Sequence, residues 1–213
     1  MGDRSMPLWF CDINGGNIDE LRKMNSAIFP VRYSNQFYED VLALPRELAQ
    51  FACVGGAVIG AICCRVEPFM PGQFLSSNAN GANGVQVVSL VPGRSYSQAE
   101  LGAGGVLAGG FSANNNSSTA EVDPVRQRLY ITTLGVMAAH RGRGVGRRLL
   151  DLMLANLQHL PDVCEVYLHV QTSNAGAIAF YERAGFHKEA IIKNYYRHIE
   201  PPDCYLLLKA VNS

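Results

Sequence analysis

The chain has 213 residues, and its 18 Lys and Arg balance 18 Asp and Glu, so the formal net charge at pH 7 is zero. This length suits one ordinary domain or one domain with an extension, and a neutral chain creates no strong field that favours nucleic acid or an anionic membrane as a direct partner. Charged residues make up only 17% and Gly is abundant with 21 residues, which indicates that an uncharged, glycine-rich segment dilutes an ordinary domain.

The first elements expected are a strand and a helix. Residues 6–11 are apolar enough for a strand, and Asn17, followed three positions later by Glu20, has the spacing of a capping box. Apolar residues then recur at helical spacing until Pro30, which is barred from a helix interior. The sequence therefore predicts a helix between Asn17 and the proline.

A second helix and a β-hairpin come next. The helix is expected over about residues 35–44. Residues 49–54 and 57–66 form two apolar runs that are separated by Gly55-Gly56, a dipeptide typical of a two-residue hairpin turn.

A low-complexity segment interrupts the domain after the hairpin. Residues 68–127 hold only five charged residues among sixty and are dominated by Gly, Ser, Ala, Asn and Pro. Such a segment cannot bury enough apolar surface to offset its ordering entropy. We therefore expect a disordered insertion, apart from a short strand at 85–91, within a single domain that spans residues 1–213.

Strands and helices alternate in the rest of the chain. A β-branched strand over 128–136 runs into a glycine-rich basic segment and then into an apolar helical pattern. One helix and three strands follow, over 174–184, 165–170, 186–192 and 204–209. The order β-α-α-β-β-insertion-β-α-β-α-β-β predicts a mixed α/β fold around one sheet.

The cysteines and the apolar runs bear on the cellular compartment. Six cysteines occur, none in a C-x-x-C motif or at zinc spacing from histidines, namely Cys11, Cys53, Cys63, Cys64, Cys164 and Cys204. The adjacent Cys63 and Cys64 are expected on opposite faces of a strand, and buried free thiols are favoured over disulfides. The longest apolar run, 54–64, falls short of the ~20 residues that span a bilayer, and no signal-peptide core is visible. We expect a soluble protein of the cytoplasm, with the nucleus as a second compartment.

The segment between the strand and the helix carries the chemistry. Four arginines within eight residues surround the pattern Arg-x-x-Gly-x-Gly, in the run Arg141, Gly142, Arg143, Gly144, Val145, Gly146, Arg147 and Arg148. Glycines let a backbone approach a ligand closely, and their N–H groups form an anion site with the N-terminus of the new helix. A P-loop would need Lys-Ser or Lys-Thr, and a dinucleotide fold would need G-x-G-x-x-G. A phosphate or pyrophosphate ligand is predicted, and a tight turn with solvated arginines is the alternative.

This loop resembles the acetyl-CoA pyrophosphate loop of the GNAT N-acetyltransferase superfamily, and a second motif agrees with it. Asn174-x-x-Ala177-x-x-Phe180-Tyr181-x-x-x-Gly185-Phe186 lies where that superfamily has a cofactor-lining asparagine and tyrosine. The resemblance implies a GNAT fold, with a mixed central sheet flanked by helices, acetyl-CoA as co-substrate and no metal. It also implies cofactor-binding residues, namely Leu134, Gly135, Val136, Arg141, Gly142, Arg143, Gly144, Val145, Gly146, Arg147, Asn174 and Tyr181.

Three other segments resemble the catalytic subunit of the NatE-type, or San, protein N-terminal acetyltransferases. They are Ile28–Tyr33, Arg128–Gly135 and Lys193–Pro201. The resemblance covers about 6–67 and 128–210, and the insertion departs from the compact family pattern. It implies an enzyme that transfers acetyl from acetyl-CoA to the N-terminal amine of proteins.

Transfer to an amine requires a base, because α-amino groups with a pKa of roughly 8 are mostly protonated at neutral pH. The resemblance assigns this role to Tyr130 and His169, on strands that flank the anion loop. Histidine suits a base by its near-neutral pKa, and tyrosine suits a hydrogen-bonding partner, whereas simple packing of either ring is the alternative. The resemblance further assigns the developing oxyanion to backbone N–H groups within 134–136 and the departing thiolate to Tyr181.

Two aromatic loops are expected to bind the peptide. The resemblance implies substrate-binding residues on these loops and on a nearby strand, namely Phe29, Pro30, Val31, Tyr33, Thr132, Tyr195, Tyr196 and Ile199. Thr132 stands where a member of the family has Met beside the substrate. The apolar wall implies acceptors that begin with a retained Met followed by an apolar residue.

Two other functions stay open on the sequence. The same fold can acetylate a lysine side chain or a small amine. Alternatively, the chain can act as a largely non-catalytic subunit of a larger N-terminal acetyltransferase complex at the ribosome. Degenerate cofactor motifs would favour the second, and here the motifs are intact. Protein N-termini are the expected partners.

Overall fold

The computed structural model describes residues 7–69, 126–197 and 199–211, and also the backbone of strands at 73–77, 85–89 and 95–96. These residues form four α-helices and ten strands, in the order β1 (Trp9–Asp12), α1 (Ile18–Ile28), α2 (Asn35–Ala43), β2 (Ala49–Val54), β3 (Ala57–Pro68), β4 (Gln73–Ser77), β5 (Val85–Ser89), β6 (Ser95–Tyr96), β7 (Gln127–Val136), α3 (Val145–Asn156), β8 (Val163–Gln171), α4 (Ala175–Arg183), β9 (His187–Ile192) and β10 (Cys204–Ala210). Outside 68–127, this is the order of elements predicted from the sequence.

The central sheet splits open at one place. Eight strands form it in the order β1-β2-β3-β7-β8-β10-β9-β6, while β4 and β5 pair separately. β7 and β8 are parallel and pair only from Gln127 to Tyr130 of β7. β7 then continues beside β3 to Val136, and β8 continues beside β10 to Gln171. Beyond Tyr130 the two strands therefore separate and leave an opening in the sheet.

Helices cover both faces of the sheet. α3 and α4 bury a cluster on one face that includes Leu149 and Ile178, and α1 and α2 bury another that includes Leu21. Cys64 belongs to the first cluster and Cys63 to the second, which confirms the predicted alternation. The six cysteines are free.

A β-bulge in β7 decides which side chains share a face. Thr132 is the extra residue, opposite the step between Cys63 and Cys64 of β3, and its hydroxyl donates to the Cys63 carbonyl over 2.7 Å. Tyr130 before the bulge and Gly135 after it both face the side of α1 and α2. Residues an odd number of positions apart would otherwise point to opposite faces. The bulge therefore brings Tyr130 and Gly135 to one side of the opening.

The segment 68–127 leaves and re-enters the sheet at paired positions. Pro68 of β3 stands opposite Gln127 of β7, and the Phe69 N–H donates to the Arg126 carbonyl over 2.8 Å. The segment thus takes the place of a hairpin connection. β5 falls on the strand expected at 85–91, and β4 and β6 are two further strands within the segment expected to be disordered. The rest of that prediction concerns residues that lie outside the described ones.

Helix α1 begins where it was predicted, but by a different contact. Asn17 Oδ1 accepts from the Asn14 N–H over 2.8 Å, and its Nδ2 donates to the Asp12 carbonyl over 2.9 Å. Glu20 pairs with Lys23. The predicted capping box is therefore wrong, because Asn17 ties β1 to α1 instead of capping the helix.

In the part of the chain that the structure describes, no helix is both long and apolar enough to cross a membrane. No group of three or more His, Cys, Asp or Glu side chains is placed to hold a metal ion in those same residues.

Candidate active site

The turn between β7 and α3 presents backbone donors. Gly142 and Gly144 have φ angles of 73° and 76°, in the left-handed region that favours glycine. Among the described residues no side chain caps α3, so the first N–H groups of the helix, from Val145 to Arg147, lack an intrahelical acceptor. With the positive end of the helix dipole, these N–H groups have the polarity that favours an anion, as the predicted anion site requires.

The arginines of this turn differ in what they contact. Arg141 Nε donates to the Val136 carbonyl over 2.9 Å and ties the turn to the end of β7. Arg147 Nε lies 2.8 Å from Asp151 Oδ1 on the exposed surface of α3. Arg143 is exposed. Arg141 therefore shapes the turn, while Arg147 is engaged along its own helix.

The end of β7 points two backbone N–H groups at the opening. The Met137 N–H donates to the Ile59 carbonyl over 2.8 Å, which makes Gly60 and Val136 a non-hydrogen-bonded pair of the antiparallel ladder. The N–H groups of Val136 and, two residues earlier, Leu134 therefore point away from β3 and toward the opening. The stretch predicted to bind the oxyanion and the cofactor thus lies at the split.

Asn174 and Tyr181, the second cofactor motif, lie on α4. The Asn174 side chain accepts from the Ala177 N–H over 3.1 Å and so caps the helix. Tyr181 packs edge-on between Phe180 and Phe186. Burial raises the pKa of the Tyr181 phenol, which therefore stays protonated at neutral pH.

Tyr130 and His169 meet where the split begins. The Tyr130 hydroxyl lies 3.2 Å from His169 Nδ1, within hydrogen-bonding distance. The ring of Tyr195 stacks on His169, with centroids 4.7 Å apart and planes at 16°, and Tyr195 is also hydrogen-bonded to Tyr130. Residues from β7, β8 and the β9–β10 connection thus converge on one contact.

The His169 imidazole is neutral. Burial and then the nearby Arg65 cation lower the pKa of His169 to about 3, so the near-neutral pKa expected from the residue type is wrong. His169 Nε2 is buried and has no hydrogen-bond partner among the described residues. A ring with so low a pKa is neutral at pH 7 and does not retain a proton there.

One side of the site is formed by the connection from α1 to α2. A ring atom of Phe29 lies 3.1 Å from the place that a Cβ on Gly135 would take, so a larger residue there would push the Phe29 ring back by a few tenths of an ångström. Phe29 also packs edge-on to Tyr33, with ring centroids 6.0 Å apart. Val31 is half-buried and Pro30 is exposed. The predicted wall thus rests directly on β7.

The other side is formed by the connection from β9 to β10. Asp203 accepts from Lys193 Nζ over 2.6 Å and from the next backbone N–H over 3.0 Å, which fixes the start of the connection. Tyr195 and Tyr196 pack edge-on, with centroids 4.9 Å apart. Ile199 is half-buried further along.

The two aromatic loops flank Tyr130. Tyr33 from the first loop and Tyr196 from the second both lie close enough to Tyr130 for its charge to affect their pKa values. Thr132 is half-buried beside them. Because its hydroxyl is bound to the Cys63 carbonyl, Thr132 has its methyl group to offer a ligand.

A partly buried ion pair next to Tyr130 was not predicted from the sequence. The Arg65 guanidinium lies 4.8 Å from the centre of the Tyr130 ring and pairs with Glu67, with 2.5 Å between Nε and Oε1. The Tyr167 hydroxyl donates to the other Glu67 oxygen. The available signal was Arg-x-Glu, two charges on one face of an otherwise apolar strand.

Comparison with known proteins identifies the class to which this fold and site belong. The profile of the Acetyltransferase (GNAT) family matches residues 18–186, and the chain belongs to this family. The split sheet and the uncapped end of α3 are thus parts of a GNAT fold.

Individual relatives narrow the class further. The chain is 32% identical to N-alpha-acetyltransferase 50 of Danio rerio, over 95% of this chain and 88% of that protein. It is 28% identical to the probable N-acetyltransferase san of Drosophila melanogaster, over 94% of this chain and 79% of that protein. Arabidopsis thaliana Naa50, solved with the bisubstrate analogue CoA-Ac-MVNAL, matches with a TM-score of 0.66 and 30% identity over 96% of this chain and 99% of that one. The chain is accordingly an acetyl-CoA-dependent N-alpha-acetyltransferase, and its resemblance to the San type is confirmed.

Proposed function

We propose that this enzyme acetylates the α-amine of protein N-termini, prefers a retained Met followed by an apolar residue, and uses Tyr130 and His169 to remove the proton of the amine. The observation that carries the proposal is the 3.2 Å contact between the Tyr130 hydroxyl and His169 Nδ1. This contact lies at the start of the split, between two aromatic loops.

The residues of the split fit acetyl-CoA, which when bound supplies the acetyl group as a thioester. The N–H groups from Val145 to Arg147 suit its pyrophosphate, since a helix N-terminus favours an anion. A Cβ at Gly142 or Gly144 would meet no described atom within 4 Å, so the turn is open toward a ligand. Backbone N–H groups of Leu134 and Val136 add donors inside the opening.

Tyr130 and His169 suit the removal of a proton. As the amine nitrogen bonds to the acetyl carbon and the carbon–sulfur bond breaks, one amine proton has to leave. The hydrogen-bonded pair of Tyr130 and His169 offers this proton a path. The Arg65 cation next to Tyr130 also lowers the pKa of an amine bound there, which increases the neutral, nucleophilic fraction.

Tyr181 suits the departing sulfur. Burial raises the pKa of its phenol, so the hydroxyl is a weaker acid than an ordinary thiol, whose pKa is roughly 8.5. Tyr181 therefore stabilises the sulfur by donating a hydrogen bond rather than by losing its proton outright.

The preference for Met rests on the apolar lining. Phe29, Val31 and Tyr33 on one loop and Tyr195 and Tyr196 on the other supply rings and methyl groups rather than charges. An unbranched thioether side chain adapts well to such a surface. The Arabidopsis relative was solved with an analogue whose peptide begins Met-Val, which supports the same class of acceptor here.

A paired-peptide assay tests this function. A Met-Leu peptide with a free N-terminus is compared with the same peptide blocked at its N-terminus and carrying an internal Lys, at saturating acetyl-CoA. We expect transfer to the free α-amine, and loss of that transfer on blocking. Activity confined to the blocked, Lys-containing peptide would instead support a lysine acetyltransferase, and failure to bind acetyl-CoA would support a non-catalytic subunit.

We also propose that the enzyme works in the cytoplasm, within a larger complex at the ribosome. The support is the resemblance of three segments to the NatE-type catalytic subunit. Co-sedimentation of the full chain with ribosomes from a cytoplasmic extract, before and after a high-salt wash, tests the association.

A further inference from the structure

We propose that Glu67 is a positioning residue, which holds the Arg65 guanidinium against Tyr130 and thereby directs the Tyr130 hydroxyl toward His169. This inference rests on the roles proposed above for Tyr130 and His169. It adds a buried carboxylate, on a strand that carries none of the assigned residues, to the machinery of proton removal.

The first step is the contact between Arg65 and Tyr130. The guanidinium carbon of Arg65 lies 4.8 Å from the centre of the ring, within the distance at which a cation is attracted to an aromatic face. The two residues stand opposite each other in the β3–β7 ladder. An arginine held there restricts the rotation of the Tyr130 ring, and with it the direction of the hydroxyl.

The second step is what fixes Arg65. A free arginine side chain loses considerable rotamer entropy when it is confined, so a partner is needed to hold it. Arg65 Nε donates to Glu67 Oε1 over 2.5 Å, and the Glu67 side chain is only 5% exposed. The hydrogen bond from Tyr167 engages the second carboxylate oxygen, so Glu67 cannot turn away from Arg65 without breaking that bond.

The third step is that the network faces the site. Arg65 Nη2 and His169 Nε2 are buried and lack hydrogen-bond partners among the described residues. Buried polar atoms rarely stay unpaired, and both belong to residues in direct contact with Tyr130. Their partner is expected to be the acceptor peptide or a water bound with it, which distinguishes this ion pair from one that only supports the fold.

A double-mutant cycle tests the inference. Glu67→Gln keeps the shape of the side chain and removes the charge that holds Arg65. We expect kcat to fall about tenfold while KM for acetyl-CoA is unchanged. In a Tyr130→Phe background the same substitution should change kcat less than about twofold, because the hydroxyl that it directs is already absent.

The control is Glu182→Gln, which breaks an exposed ion pair with Lys188 of 3.0 Å and should leave kcat unchanged. An equal loss of kcat from Glu67→Gln in both backgrounds, or no loss in the native background, would overturn the positioning role. If Tyr130→Phe alone retained full kcat, the proposed catalytic role would fall together with the inference. If Tyr130→Phe lost activity and Glu67→Gln did not, the inference alone would fall.

A second variant protects the test against misfolding. Should Glu67→Gln fail to unfold cooperatively, Tyr167→Phe removes only the hydroxyl that anchors Glu67. It should lower kcat about threefold, again with no further loss in the Tyr130→Phe background. A loss that persists in that background would show that Tyr167 supports the fold and would overturn the inference.

Discussion

The two sides of the split between β7 and β8 present different groups to it, backbone on one side and side chains on the other. The side proposed to bind the cofactor consists mainly of backbone: two left-handed glycines, an uncapped helix end and N–H groups at Leu134 and Val136. The side proposed to bind the acceptor consists of side chains: stacked rings around His169 and a partly buried ion pair at Arg65. Substitution of side chains should affect a site built from backbone N–H groups mainly at its glycines. A site built from side chains should instead be sensitive at each residue that positions another.

The largest effect is expected on the acceptor side. Tyr130→Phe removes the hydroxyl bound to His169 and leaves the ring and its packing, so kcat should fall on the order of 100-fold. Acetyl-CoA affinity, measured by calorimetric titration, should not change. Weakening of both together would mean that Tyr130 serves structure on both sides of the split.

The next effect concerns pH and stability. The pKa of His169 is about 3 in the folded protein, below the roughly 6.5 of an unfolded histidine, so the unfolded state binds the proton first as pH falls. The contribution of neutral His169 to the free energy of unfolding is therefore complete above a pH of about 6.5. Below that pH it falls by up to about 1.4 kcal/mol per pH unit.

Urea unfolding of the native chain and of His169→Gln at pH 7.5 and 5 measures this loss. The native chain should lose more stability than the variant over that interval. An equal loss of stability in the two proteins between pH 7.5 and pH 5 would show that His169 is not held neutral by its surroundings.

The cofactor side should respond at its glycines. Gly144→Val places a β-branched residue at a φ of 76°, which costs about 1–2 kcal/mol and should weaken acetyl-CoA binding about tenfold. Gly15→Val is the matched control, since it meets nothing within 4 Å and has no left-handed φ. Unchanged affinity in Gly144→Val would remove the pyrophosphate assignment.

Gly135 lies on β7 in contact with the first aromatic loop, and we expect its substitution to have a moderate effect. A Cβ there would lie 3.1 Å from the Phe29 ring, so Gly135→Ala should displace the first aromatic loop and raise KM for a Met-Leu peptide about threefold. KM for acetyl-CoA should change less. Gly176→Ala, which meets nothing within 4 Å, controls for the added methyl group.

The smallest effect is expected from Arg147. Its pair with Asp151 is exposed, so Arg147→Ala should change stability by about 0.5 kcal/mol or less and acetyl-CoA affinity less than about twofold. A binding titration beside Arg141→Ala measures the difference. A large loss at Arg147 would show that its guanidinium leaves Asp151 when acetyl-CoA binds.

Local signals account for what could be read from the sequence. The Gly55-Gly56 hairpin turn and the helix over 174–184 each depend on a few neighbouring residues, and both were predicted correctly. The meeting of Tyr130 with His169 followed from the family resemblance rather than from spacing.

Long-range packing accounts for what could not be read. The bulge at Thr132 depends on how β7 pairs with β3. The pKa of His169 depends first on burial and then on Arg65, which lies on the far side of the insertion in sequence. The predicted capping box at Asn17 does not form, because the Asn17 side chain is hydrogen-bonded within the β1–α1 connection instead. Secondary-structure propensity reflects the neighbours of a residue in sequence, whereas the bulge and the His169 pKa depend on residues that are distant in the chain.

The paired ends of β3 and β7 also make this enzyme a convenient carrier for foreign domains. Apart from the bulge at Thr132, the ladder runs in order from Gly60–Val136 at the split to Pro68–Gln127 at its outer end, and the Phe69–Arg126 hydrogen bond closes it. Each doubling of a loop costs only about 0.6 kcal/mol in closure entropy. A reporter domain whose own termini lie close together can therefore be inserted in the segment between these residues, attached at the end of the ladder where β7 and β8 are still paired.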